Sequence, residues 1–123
     1  MKTRILIVDD QGELRKLVRM TLEYADYELH EAENGARALE LLEVVRPGLV
    51  VLDVMMPGGL DGFQVCEIIK SRPETRKTRV LMLSARGQKT DLEQGQRAGA
   101  DAYLVKPFSP LELIDKVERL LGN

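Results

Sequence analysis

Residues 49–63 read LVVLDVMMPGGLDGF. The apolar run Leu49 to Leu52 passes without interruption into Asp53, and Pro57, Gly58 and Gly59 follow close behind. A short unbroken apolar run is the pattern of a strand buried on both faces, and the Pro and Gly residues break regular structure after it. Asp53 therefore stands where a central strand gives way to a loop. In open parallel α/β sheets, that edge is where ligands bind and chemistry occurs.

Further runs of the same kind flank this one. Ile5–Val8 ends at Asp9-Asp10, Val80–Leu83 at Ser84-Ala85, and Ala102–Val105 at Lys106-Pro107. Tyr27–Ala32 alternates only in part: Tyr27 and Leu29 oppose Glu28 and His30, and Glu31 breaks the pattern. Its polarity suits a sheet edge.

Between these runs the period changes to that of helices. Leu14, Leu17, Val18, Leu22 and Ala25 share one face after Gln11-Gly12. Asn34 is placed to cap a second helix, with Ala38, Leu39, Leu42 and Val45 as its stripe and Pro47-Gly48 as its stop. Gly62, Val65, Cys66 and Ile69 give a third, ending near Ser71-Arg72-Pro73. Gln88–Ala98 is a weak fourth, with Leu92 as its large aliphatic residue, an internal Gly95 that costs about 1 kcal/mol, and Gly99 as a C-terminal cap. Ser109-Pro110-Leu111-Glu112 opens a fifth with a capping box and Pro at the first helical position. Leu113, Ile114, Val117, Leu120 and Leu121 form its apolar side.

Strand and helix thus alternate five times along the chain. That alternation predicts right-handed βαβ crossovers and a doubly wound α/β fold, a parallel sheet with helices on both faces. An edge position for the second strand favours the order 2-1-3-4-5, with Asp9-Asp10 and Asp53 on neighbouring strands.

The 123 residues suffice for one core, and the chain is read as a single domain over residues 1–123. A formal net charge of −2 gives no basic footprint for nucleic acid or an anionic membrane. Cys66 is the only cysteine, which excludes an internal disulfide and a CxxC metal site. No stretch has a signal-peptide pattern or approaches the ~20 apolar residues of a transmembrane helix. The expected location is the cytoplasm.

The fold brings Asp9, Asp10, Asp53, Ser84 and Lys106 to one rim. Carboxylates gathered so closely repel one another, and a cation among them relieves the repulsion. Oxygen ligands without His or Cys suit Mg²⁺ or a similar hard ion, which shares its sites readily with phosphate. Lys106 adds a point charge for a phosphoryl oxygen, and Ser84 a hydroxyl. This set fits phosphoryl transfer to an aspartate.

The chain resembles, over essentially its whole length, the receiver domain of bacterial two-component response regulators, and within them the chemotaxis-regulator type. The resemblance rests on Asp9-Asp10, Asp53 with Met56-Pro57 and Asp61-Gly62, Ser84-Ala85, Gly99-Ala100-Asp101-Ala102-Tyr103 and Lys106-Pro107-Phe108. It implies a flavodoxin-like (βα)5 fold with Asp53 as phosphoacceptor. It implies a Mg²⁺ (or Mn²⁺) site of Asp9, Asp10, Asp53 and the Met55 backbone carbonyl. Lys106 would bind the phosphoryl group, Ser84 and Tyr103 would be the switch residues, and Lys106-Pro107 would be a cis peptide. The implied partners are a sensor histidine kinase or phosphotransfer protein, and a downstream protein target or fused output domain. The family usually has one residue fewer between the acceptor and Asp61-Gly62; the extra residue lies in Gly58-Gly59-Leu60.

Plainer readings stand beside these. An Asp after a strand is often a turn residue, and Asp10 is placed to cap the first helix. Tyr103 suits a half-buried aromatic of an edge strand, His30 a surface residue, Cys66 a small core residue, and Arg72, Arg76, Lys77 and Arg79 a solvated connection. A Mg²⁺-dependent phosphohydrolase would need a second acid as proton donor and a substrate cap, and the chain offers no cap insertion. A pseudo-receiver that only binds partners would not need the full acidic set and Lys106. A flavin protein would not carry Asp9-Asp10 where its phosphate must sit.

Overall fold

The computed structural model describes residues 2–56 and 58–122; Pro57, expected to break the chain after the third strand, lies outside them. The elements follow the order β1 (Thr3–Val8), α1 (Gly12–Leu22), β2 (Tyr27–Ala32), α2 (Gly35–Val45), β3 (Leu49–Asp53), α3 (Gly62–Ser71), β4 (Arg79–Ser84), α4 (Lys89–Ala98), β5 (Ala102–Val105) and α5 (Pro110–Leu120). The strands form one parallel sheet in the order β2-β1-β3-β4-β5, as the alternation and the polar second strand predict.

Side chains of a strand alternate between its faces, so each apolar run feeds two cores. Leu6, Val8, Val50, Leu52, Val80 and Met82 face α2 and α3, where they meet Leu42, Val65, Cys66 and Ile69. Ile5, Ile7, Leu49, Val51, Leu81 and Leu83 face α1 and α5, where they meet Val18, Leu22, Leu113 and Val117. Each fully buried Leu or Ile stabilises the fold by roughly 1.5–3 kcal/mol.

Helix ends follow their local chemistry. Asn34 Oδ1 accepts the Arg37 amide at 2.8 Å. Asp61 and Gln64 form a capping box at α3, and Ser109 and Glu112 form the expected one at α5. Gly99 closes α4 with φ +97°. α2 ends at Val45, and its C-cap Arg46, just before Pro47, lies in the left-handed region at φ +53°.

Three expectations at α1 are corrected. Leu17 is 52 % exposed, because the 100° step per residue carries it round the helix from buried Val18. Ala25 lies beyond the end of the helix. The N-cap is Gln11, with no side-chain cap, so Asp10 does not cap the helix.

Candidate functional site

Parallel strands place their C-terminal ends on one rim, and there β1 delivers Asp9 and Asp10 beside Asp53 of β3. One carboxylate oxygen from each of these three residues lies within 4.8 Å of the others. Asp9 and Asp53 are buried, at 2 % and 3 % exposure, while Asp10 is exposed.

From the edge strand β5 comes Lys106, directly after Val105 and just before the cis bond to Pro107. Its ammonium donates to Asp53 Oδ1 at 2.9 Å and lies 3.8 Å from Asp9 Oδ2. The Lys106 amide also donates to the Ser84 carbonyl at 2.8 Å, which holds the β5 and β4 ends together.

The acids do not share one environment. Asp9 Oδ1 accepts the Gln11 amide at 2.8 Å, whereas Asp9 Oδ2 is buried without a hydrogen-bond partner. Burial pushes the Asp9 carboxyl up to about 6; the Gln11 amide opposes this, and the Asp53 charge adds to it. Burial also raises Asp53, against the hydrogen bond and charge of Lys106. An orphaned carboxylate oxygen facing two further acids is what a hard cation would satisfy. The donor set therefore fits Mg²⁺.

The approach to the site is shaped by glycine. The Gly62 amide donates to the Val54 carbonyl at 2.9 Å, and a Cβ at Gly62 would collide with the Asp53 carbonyl oxygen. The stretch Gly58-Gly59-Leu60, where the sequence places the additional residue, passes through two exposed glycines. Gly58 and Gly59 have φ +74° and +140° with nothing near their missing Cβ positions, while Leu60 packs back against the core beside Gly35.

Ser84 is fully buried, and its Oγ accepts the Arg86 amide at 3.0 Å. Tyr103 is half-buried, packs against Gly95, and donates its hydroxyl to the Arg86 carbonyl at 2.8 Å. One peptide segment thus touches both candidate switch residues. The Arg86 guanidinium pairs with buried Asp91 at 2.7 Å and lies 5.9 Å from the centre of the Phe63 ring. Neither Arg86 nor Asp91 stands out in the sequence.

The other singled-out residues have structural surroundings. Cys66 is fully buried, with its thiol pushed up to about 12 by burial. His30 bonds Glu28 at 2.7 Å on the outer strand. Of the basic connection, Arg79 begins β4 and pairs with Asp101 at 3.5 Å. No helix among the described residues is long and apolar enough to cross a membrane.

Comparison with known proteins agrees with this architecture. Residues 5–118 match the response regulator receiver domain family, and the chain belongs to that family. Its class is the receiver of two-component signalling, which is phosphorylated on aspartate. The chain is 44 % identical over 120 residues to the transcriptional regulatory protein ResD of Bacillus subtilis, covering 98 % of this chain and 48 % of ResD. It therefore spans about half the length of the curated relatives it matches. A putative response regulator from Chloroflexus aurantiacus is similar in structure, with a TM-score of 0.93, 34 % identity and full coverage of both chains. The chemotaxis protein CheY4 of Vibrio cholerae gives a TM-score of 0.91 at 31 % identity, over 98 % of this chain and 99 % of that one.

Proposed function

We propose that this chain is a single receiver domain that accepts a phosphoryl group on Asp53 and relays its presence to a partner-binding face. The observation that carries the reading is the buried Asp53 carboxylate, 2.9 Å from the Lys106 ammonium and grouped with the Asp9 and Asp10 oxygens within 4.8 Å. The donor is the phospho-histidine of a sensor histidine kinase or phosphotransfer protein.

In the transfer, an Asp53 oxygen attacks phosphorus as the P–N bond to the imidazole breaks. The electron pair of that bond stays on the ring nitrogen, and an acyl phosphate forms. Asp9, Asp10, Asp53 and the Met55 carbonyl would hold Mg²⁺ (or Mn²⁺), which neutralises charge on the phosphoryl oxygens when bound. Lys106 holds Asp53 at rest and then turns its ammonium to a phosphoryl oxygen. The Ser84 hydroxyl, whose oxygen already accepts the Arg86 amide, donates its own proton to another. Attack by water on the same phosphorus breaks the P–O bond to Asp53, returns the electron pair to the carboxylate and releases inorganic phosphate, so the domain catalyses both its own phosphorylation and its dephosphorylation.

The output is a population shift between states already in equilibrium, centred on Ser84 and Tyr103 and presented by α4, β5 and α5. The readers are a downstream protein target or a fused output domain. The relatives named as transcriptional regulators support transcription as the end point, with nucleic acid contacted outside this domain. The domain works in the cytoplasm.

Incubation with Mg²⁺ and acetyl phosphate, followed by intact-mass measurement, tests the core of this reading. Wild type gains one phosphoryl group, labile to hydroxylamine, and Asp53→Asn gains none. Labelling of Asp53→Asn at the wild-type rate refutes the assignment, and rapid multiple turnover on small phosphate esters makes the chain a hydrolase instead.

A further inference from the structure

We propose that Arg15 is a positioning residue for the cation site, fixing the peptide that joins Asp9 to Asp10. This inference rests on the reading that Asp9, Asp10 and Asp53 hold the cation.

The sheet's hydrogen bonding stops at this point of β1. The Asp9 amide still donates to the Ala32 carbonyl at 3.1 Å, beyond the last paired residues Val8 and Ala32. The Asp9 carbonyl has run past the ladder, and the side chain of Arg15 meets it: Nη1 donates to Asp9 O at 2.7 Å. That carbonyl belongs to the Asp9–Asp10 peptide, whose plane sets the direction in which both acids leave the backbone.

Arg15 is itself held. Its Nε donates to Glu31 Oε1 at 3.0 Å, and the other oxygen of Glu31 accepts from Arg19 Nη1 at 3.0 Å. A planar guanidinium fixed at one edge by a carboxylate has little freedom at the other. The helix contributes as well, since the Arg15 amide donates to the Gln11 carbonyl at 3.0 Å while the Gln11 amide donates to Asp9 Oδ1 at 2.8 Å. Asp9 is therefore oriented at its carbonyl by Arg15 and at its carboxylate by Gln11, which leaves Oδ2 turned to the site without a protein donor. Mg²⁺ demands near-ideal octahedral geometry and so tolerates little error in ligand placement.

Arg19 supplies the internal control. It binds the same Glu31 and also the Leu29 carbonyl at 3.3 Å, so it joins α1 to β2 without touching Asp9. Arg15→Ala, Arg15→Lys, Arg19→Ala and wild type of the full chain are titrated with Mg²⁺ and followed by calorimetry. Amide exchange at Gln11 is measured without metal, together with the Mg²⁺ dependence of Asp53 labelling.

Arg15→Ala is expected to weaken Mg²⁺ binding at least fivefold and to speed Gln11 exchange. It should raise the Mg²⁺ needed for half-maximal labelling, with less than a twofold change at saturation. Arg15→Lys, which keeps the charge but not the fork, recovers little of this, and Arg19→Ala, which leaves both Arg15 bonds in place, loses far less Mg²⁺ affinity and speeds Gln11 exchange far less than Arg15→Ala. Wild-type Mg²⁺ affinity in Arg15→Ala, or an equal loss in Arg19→Ala, overturns the inference while leaving the phosphoacceptor reading intact. Absence of Mg²⁺ binding by wild type overturns both.

Discussion

A Cβ placed on Gly95 would stand 3.0 Å from Cδ2 and 3.2 Å from Cε2 of the Tyr103 ring. The glycine that weakens α4 as a helix therefore makes room for the aromatic ring of β5. Replacing Gly95 by Ala at a free helical site stabilises by about 1 kcal/mol. Here the ring must shift, and its hydroxyl is already committed to the Arg86 carbonyl. Gly95→Ala is expected to fall short of that gain in wild type and to recover it in a Tyr103→Ala background. Chemical denaturation of the two single mutants and the double mutant reads the coupling, expected at 0.5 kcal/mol or more as a rough figure for contacting residues.

Lys106 is predicted to matter more for chemistry than for folding. Lys106→Ala removes the 2.9 Å partner of Asp53 from a half-buried position. The variant should fold and bind Mg²⁺, while labelling of Asp53 by acetyl phosphate slows at least about tenfold, as for loss of one charged transition-state donor. Intact-mass time courses at saturating Mg²⁺ measure this.

The acid cluster gives the metal-free protein a specific pH dependence. The folded-state value of Asp9, about 6, lies above its ordinary 3.8, so the folded protein holds that proton more tightly. The stability this confers is complete below pH 3.8 and disappears as pH rises through about 6. Its size is on the order of 3 kcal/mol. Asp53 is shifted in the same direction. The difference in Tm between Asp9→Asn and wild type should therefore widen between pH 4 and 7 without metal, in favour of Asp9→Asn, by roughly the amount the linkage relation gives. Saturating Mg²⁺ should reverse the difference, because only wild type binds it well.

Glycines on either side of the loop after β3 should respond oppositely in function. Gly62→Ala drives a Cβ into the backbone of Asp53 and Val54, and a loss of roughly 3 kcal/mol with impaired labelling is expected. Gly58→Ala meets no neighbour, only its left-handed backbone at φ +74°. Its cost should be about 1 kcal/mol, with labelling unchanged. Denaturant unfolding alongside phosphorylation rates separates the two.

Much of this was readable from residue order because the signals are local. Runs such as Leu49–Leu52 and Val80–Leu83 announce buried strands, and a parallel sheet must bring the residues after them to one rim. Ser109 and Glu112 cap their helix with atoms three residues apart, so the sequence states the bond directly. The long cationic side chains were not readable in the same way. Arg15 bonds Glu31, 16 positions away, and nothing in a helical charge pattern specifies that partner. Asp91, on a polar helix, carries no signal of its own in the sequence, yet it is buried and paired with Arg86. Leu17 fails for a geometric reason: a hydrophobic residue one position from the buried stripe has already turned toward solvent.

The sheet separates the core into two groups of side chains that share no member, one under α1 and α5 and one under α2 and α3. This partition bears on how the domain can be re-engineered. Substitutions more than about 7–10 Å apart with no common partner add in their effects, and the thickness of a strand layer keeps residues such as Val18 and Cys66 from sharing neighbours. Libraries that vary the two helical layers can therefore be selected separately and then recombined. The product should show the sum of the two sets of gains, with no further round of repair.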